Sequence, residues 1–264
     1  MDIIPYVLLG DIHGRRFWKD ILNNPRITKD TKIIFVGDYL DPYTSIEGIT
    51  MTEAINNFLE ILDYASANDN VKLLYGNHDC SYAITLDICR SRHDYMNHQM
   101  VHEMFEEHKP LFSFAYDFEL NDQYFLITHS GVRTSWSDKY GFTKDGNTDI
   151  HLADVFNKEI PEREYEPLYD VSMERGGWNA AGSLIWSDVH ECLYKGVKPL
   201  TYQGKAVHQI FGHTALFRSD GKGGYKMGTA VKANDYEICI DCAEVFYLDN
   251  EGDLRYLKND QVVL

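Results

Sequence analysis

The chain has 264 residues, enough to bury a substantial core without disulfide or metal staples. Hydrophobic residues make up 44% and charged residues 25%, which excludes collagen-like and wholly disordered classes. With 25 basic against 41 acidic residues the formal charge is −16, so no nucleic-acid groove and no membrane-binding face is expected, and an anionic ligand needs a locally positive site.

The opening Met1-Asp2-Ile3-Ile4-Pro5 lacks a basic stretch and a long apolar run, so a cytoplasmic protein is expected. Three short apolar runs then stop at polar clusters: Tyr6 to Leu9 before Gly10-Asp11, Lys32 to Val36 before Gly37-Asp38, Val71 to Tyr75 before Gly76-Asn77. They read as buried strands with their carboxyl-end loops. Between the second and third, the stretch from Thr52 to Tyr64 spaces Ile55, Phe58, Leu59 and Leu62 as a helix does, with Thr52 at the N-cap. Later strands are expected at Tyr124 to Thr128, Val207 to Phe211, Tyr236 to Asp241 and Val245 to Leu248, the last two pairing as neighbours. The stretches 80–110 and 134–182 break the pattern and read as cap-like insertions over the carboxyl edge of the sheet, within a single domain spanning 1–264. Ser219 to Asp235, rich in Gly and Lys, reads as an exposed loop or hairpin.

What ends each strand carries the chemistry. In order the chain offers Asp11 and His13, Asp38 and Asp41, Asn77 and His78, His129 and His213, each beside a glycine that lets the backbone turn tightly. Oxygen and imidazole donors without thiolate suit manganese, iron or zinc, so converging strand ends of this kind imply a metal site. Gly10-Asp11-Ile12-His13-Gly14, Gly37-Asp38-Tyr39-Leu40-Asp41, Gly76-Asn77-His78-Asp79, His129-Ser130-Gly131 and Gly212-His213-Thr214 together resemble the calcineurin-like metallophosphoesterases. Leu184 to Asp188 and Ile240 to Ala243 resemble segments of the branch holding the phosphoprotein phosphatases and the diadenosine tetraphosphatases.

That resemblance implies an α/β fold, a two-sheet β-sandwich flanked by helices in four αββα layers. It implies two divalent ions, manganese foremost, with Asp11, His13 and Asp38 on the first, Asp38 bridging, and Asn77, His129 and His213 completing the second. Water activated between the ions would then attack phosphorus. His78 would protonate the leaving group, with Asp41 orienting it. The family's phosphatases continue the second motif as Asp-Arg-Gly, whose arginine grips phosphate; here Asp41 is followed by Pro42-Tyr43. Arg15, Arg133 and Arg175 are the candidates to replace it, Arg175 preferred. A Gly-His-x-His ending, common in the superfamily's nucleases, is also missing at Gly212-His213-Thr214-Ala215, which favours phosphomonoesters.

Other features have plainer explanations. Cys239 and Cys242 sit in an apolar run, where residues three apart on a strand face opposite ways, and read as buried thiols. His93, His98, His102 and His108 read as structural or surface residues, His208 as a core histidine, and Trp136, Trp178 and Trp186 as packing residues, Trp178 also as a possible pocket wall. Lys222 and Lys226 read as exposed. The function expected is a metal-dependent phosphatase of phosphorylated small molecules, nucleotides or phosphoproteins. The alternatives are a hydrolase of dinucleoside polyphosphates or small phosphodiesters, and a non-catalytic scaffold, which the retained donors and His78 disfavour.

Overall fold

The computed structural model describes residues 2–84, 86, 91–143, 151–193, 198–221 and 224–263. The first three apolar runs form β1 (Tyr6–Leu9), β2 (Lys32–Phe35) and β3 (Val71–Leu74), mutually parallel and mostly buried, as strands covered on both faces must be. The helices α1 (Thr44–Glu47) and α2 (Met51–Ser66) follow β2, α3 (Asn77–Ala83) starts directly after β3, and α4 (His98–Glu107) leads to the short strand β4 (Phe112–Ser113). Thr50, not Thr52, caps α2: its hydroxyl accepts from Glu53 N–H while the Glu53 carboxylate accepts from Thr50 N–H. The buried face of α2 is built on Ala54, Phe58, Ile61 and Ala65, and Leu59 is left partly exposed on its flank.

The strands β5 (Ala115–Leu120) and β6 (Gln123–Thr128) form a hairpin through Asn121-Asp122, whose φ values of 50° and 61° are the left-handed pair a tight primed turn requires. Next come α5 (Thr134–Tyr140), α6 (Leu152–Glu162) and α7 (Val189–Cys192), then β7 (Thr201–Tyr202) and β8 (Lys205–Phe211). A small hairpin of β9 (Phe217–Ser219) and β10 (Tyr225–Met227) occupies the expected exposed stretch; Lys222 lies outside the described residues. The chain closes with β11 (Val231–Asn234), β12 (Glu237–Cys239), β13 (Val245–Leu248) and β14 (Leu254–Tyr256).

Two large sheets result, ordered β14-β13-β1-β2-β3-β4 and β11-β12-β8-β6-β5, with β7 attached to β8. Strand alternation divides the core. Leu8, Ile34, Leu74 and Phe246 of one sheet meet Phe125, Ile127 and Ile210 of the other between the layers. Val7, Leu9, Ile33, Phe35 and Leu73 cluster with Phe58 and Ile61 of α2, and Leu126 clusters with Val155 and Phe156 of α6. The fold is therefore an α/β sandwich of two sheets flanked by helices.

β12 and β13 are not neighbours. β12 runs parallel to β8 (Ile238↔Ile210), and β13 runs antiparallel to β1 (Leu8↔Phe246). Both β8 and β1 are central strands whose backbone groups need partners on each side. Ile240 to Glu244, with Ala243 at φ 56°, crosses from one sheet to the other to supply them.

Candidate active site

The loops following β1, β2, β3, β6 and β8 reach one place. His13, Asp38, Asp41 and His213 take left-handed φ values of 43°, 51°, 55° and 67°, a concentration of backbone strain that marks a functional site. Two glycines make the approach possible: a Cβ on Gly76 would lie 2.1 Å from Asp38 Oδ1, and one on Gly212 would lie 2.0 Å from Asp11 Oδ1. Asp79 holds the frame. Its buried carboxylate accepts from the N–H groups of Gly76 (2.8 Å), Asp38 (2.7 Å) and Tyr39 (3.1 Å), locking the β2 and β3 loops together.

Donor atoms then converge. Asp38 Oδ2 stands 3.5 Å from His13 Nε2 and 3.5 Å from His129 Nε2, between the two rings. On the far side His129 Nε2, His213 Nδ1 and Asn77 Oδ1 lie 2.8 to 3.1 Å apart, and Asp11 Oδ2 lies 3.9 Å from His13 Nε2. His13 Nδ1–H donates to Leu40 O (2.6 Å) and His129 Nδ1–H to Val36 O (3.0 Å), which turns both Nε2 lone pairs inward. Burial lowers the basicity of His13, His129 and His213 and so favours the neutral ligand form. Burial would raise Asp38, yet the histidines around it and the His78 N–H hold its carboxyl down at about 2. Asp11 is pushed well up by burial and by the nearby Asp241 and Asp38. Asp11 Oδ2 and Asp241 Oδ2 have no hydrogen-bond partner although they are buried, and Asp241 Oδ1 has none nearer than Arg15 Nη1 at 3.9 Å. Unpaired carboxylate oxygens in such a place are costly without a cation, so the donor set fits divalent metal.

Beside these groups His78 Nδ1–H donates to Asp41 Oδ2 (2.7 Å), and Asp41 Oδ1 accepts from Tyr82 Oη (2.6 Å), so the imidazole is fixed with Nε2 outward. The whole opens into a cavity of about 430 Å³ lined by Tyr43, Arg92, Glu174, Arg175 and Trp186 besides the donors. Arg175 Nε lies 2.8 Å from His213 Nε2, Arg175 Nη2–H donates to the His213 carbonyl, and Arg175 also pairs with Asp188 at 3.2 Å.

Of the three candidate arginines only Arg175 is brought to this cavity. Arg15 is buried beneath it, spent on Glu47 (2.9 Å) and the Asp11 carbonyl, and Arg133 is buried elsewhere against Glu237 (2.6 Å) and Cys192. Sequence reasoning missed Arg92, Asp79 and Asp241. The first had no motif to mark it, whereas the other two stand inside motifs already noted and could have been found as carboxylates beside the donors. Trp178 is 96% exposed rather than packed, and Trp136 is buried. His208 is only half-buried, lying against Phe125 and Tyr236 on a separate cavity wall. His93 stacks on Tyr82 and His102 donates to the Tyr82 carbonyl, so these two histidines brace α3. Cys239 and Cys242 are free and buried. Among the described residues no helix is long and apolar enough to cross a membrane.

Clustered oxygen and imidazole donors at the strand ends of a helix-flanked double sheet define a metallophosphoesterase. Residues 4–217 match the calcineurin-like phosphoesterase family, and the chain belongs to it. It is thus a metal-dependent phosphoric ester hydrolase. Comparison with curated proteins finds no match. Among solved structures it is similar to a serine/threonine phosphatase from Saccharomyces cerevisiae, described as having similarity to human phosphatase PP5. The two share 16% identity and a TM-score of 0.49, over 94% of this chain and 73% of that one.

Proposed function

We propose that the protein is a dinuclear-metal phosphatase of phosphomonoesters. The observation that carries this reading is the position of Asp38 Oδ2, equidistant at 3.5 Å from the histidines of two donor groups, from which one carboxylate would serve two cations. Asp11, His13 and Asp38 would hold the first ion, and Asp38, Asn77, His129 and His213 the second. Two such cations would neutralise phosphoryl oxygens and furnish hydroxide near neutral pH. His78, oriented by Asp41, presents Nε2 to the cavity for protonating a leaving oxygen, which matters because an alkoxide leaves poorly. Arg175 at the rim would contact the phosphate. The manganese-loaded protein is expected to turn over p-nitrophenyl phosphate much faster than bis-p-nitrophenyl phosphate, and Asp38→Asn to abolish the activity. The reverse ranking would favour the phosphodiester and dinucleoside polyphosphate reading, and an active Asp38→Asn would end the assignment.

A further inference from the structure

The second motif ends in Asp41-Pro42-Tyr43, without the arginine that the resembling phosphatases place there. The structure fills that gap from another part of the chain. Arg92, carried by the 80–110 insertion, lays its guanidinium 3.6 Å from the centre of the Tyr43 ring. Its Nη1–H donates to the main-chain carbonyl of Asp41 (2.5 Å), and its Nη2 lies 3.2 Å from His78 Nε2. A distant arginine is therefore seated on the very loop that lacks one, at the edge of the metal-donor cavity.

Among the described arginines, only Arg92 and the exposed Arg218 lack a carboxylate within 4.0 Å, and of the two only Arg92 lines the donor cavity. Arg15, Arg16, Arg26, Arg133, Arg163, Arg175 and Arg255 each pair with a carboxylate within 4.0 Å. Arg92 makes no ion pair with any described carboxylate; a carbonyl and an aromatic face hold it, with the His78 ring beside it. In a protein of net charge −16, a half-buried cation without an acidic partner points to an anion that is not part of the chain. A planar guanidinium held on one edge by Asp41 O and backed by Tyr43 keeps donors for two oxygens of one phosphate, the geometry in which arginine binds best.

We propose that Arg92 is the phosphate clamp of this enzyme and the residue that makes it prefer a terminal phosphate. The proposal rests on the phosphomonoesterase reading above. A terminal phosphate brings three non-bridging oxygens and two negative charges, a diester only two oxygens and one charge. A cation without a carboxylate partner therefore rewards the monoester more. Arg175, already bound to Asp188, contributes less to that discrimination.

The test uses the manganese-loaded full chain and two substitutions, Arg92→Ala and Arg92→Lys. Calorimetric titration with inorganic phosphate reads binding apart from turnover, and kcat/KM on the mono- and bis-p-nitrophenyl esters reads specificity. Loss of charge-assisted hydrogen bonds predicts phosphate binding about tenfold to a hundredfold weaker in Arg92→Ala, a similar fall in the monoester-to-diester ratio, and partial recovery with lysine. Manganese stoichiometry should stay that of the wild type, and the melting temperature of Arg92→Ala should fall by only a few degrees, for the lost Asp41 and Tyr43 contacts. Phosphate affinity and ester ratio both within about twofold of wild type would overturn the assignment and leave Arg92 as a brace for the Asp41 loop. If the wild type itself prefers the diester, the phosphomonoesterase reading falls, while the phosphate titration still decides whether Arg92 binds the anion.

Discussion

Replacing Gly76 by alanine separates the geometry of the site from its chemistry, because it removes no functional group. The backbone there has φ −93° and ψ 176°, extended values that alanine adopts without strain. Glycine is required only for room: the new Cβ would lie 2.1 Å from Asp38 Oδ1 and 2.6 Å from Asp38 N. Relieving the first contact needs roughly 1 Å of retreat by the carboxylate, and Asp38 is not free to give it. Its N–H is held by Asp79 at 2.7 Å, and its Oδ1 by the His78 N–H at 2.9 Å. Overpacking of this kind costs about 1–3 kcal/mol, and a displacement of about 1 Å in a reacting constellation costs about 10²-fold in rate. Gly76→Ala should therefore keep its far-ultraviolet circular dichroism, melt a few degrees lower, bind manganese more weakly by calorimetry, and lose about a hundredfold in kcat/KM. Gly48→Ala is the control, since a Cβ there meets nothing within 4 Å, although its φ of 74° imposes strain. It should lower stability and spare activity. A Gly76→Ala protein that binds manganese and hydrolyses p-nitrophenyl phosphate like the wild type would refute the claim that Asp38 must stand where it does.

Two further outcomes follow from the same geometry. Replacing His78 by Asn should slow an alkyl phosphate by about 10²–10⁴-fold while slowing p-nitrophenyl phosphate far less, because only the former leaving group needs a proton; equal losses would remove its role as the acid. Manganese at a hundred times its dissociation constant should stabilise the fold by about 2.7 kcal/mol, a rise of roughly 5–10 °C in melting temperature. The gain should shrink below about pH 6. Burial takes Asp241 to about 6, so as pH falls through that value its carboxyl gains a proton that a cation must displace, and Asp11, also raised by burial, acts in the same direction. A gain larger at pH 5 than at pH 7.5 would contradict that sign.

The sequence made the strand ends legible because each pairs an apolar run with a glycine and a polar side chain, a local signal that needs no tertiary information. β1, β2, β3, β6 and β8 were all found this way. The hairpin partner β5 was missed although Asn121-Asp122 marks its turn and Tyr116, Phe118 and Leu120 alternate with Asp117 and Glu119, because it carries no continuous apolar run ending at a glycine. The helix α6 carries Leu152, Val155, Phe156 and Ile160 at helical spacing, but no N-cap side chain announces its start and Pro161 sits in its last turn. Sheet membership of β12 and β13 was beyond local reading, since nothing in a short connection says whether it folds back or crosses over. Arg92 was illegible for a similar reason. Its place depends on a tertiary contact with Tyr43, and it stands among polar residues that carry no periodicity.

This division between the legible and the hidden follows the division of labour in the molecule. The proposed metal donors stand at the ends of buried strands, where ladder pairing and left-handed turns fix them, and a rigid position leaves a local trace in sequence. The positive wall of the cavity comes from the stretches 80–110 and 134–182, Arg92 from one and Arg175 from the other. Loops of that kind can change which phosphate ester they admit without disturbing the donors beneath. Chemistry and selectivity should therefore separate under mutation: substitutions at Asp38 or Gly76 lower turnover of every ester together, whereas those at Arg92 re-rank the esters while the metal stays bound.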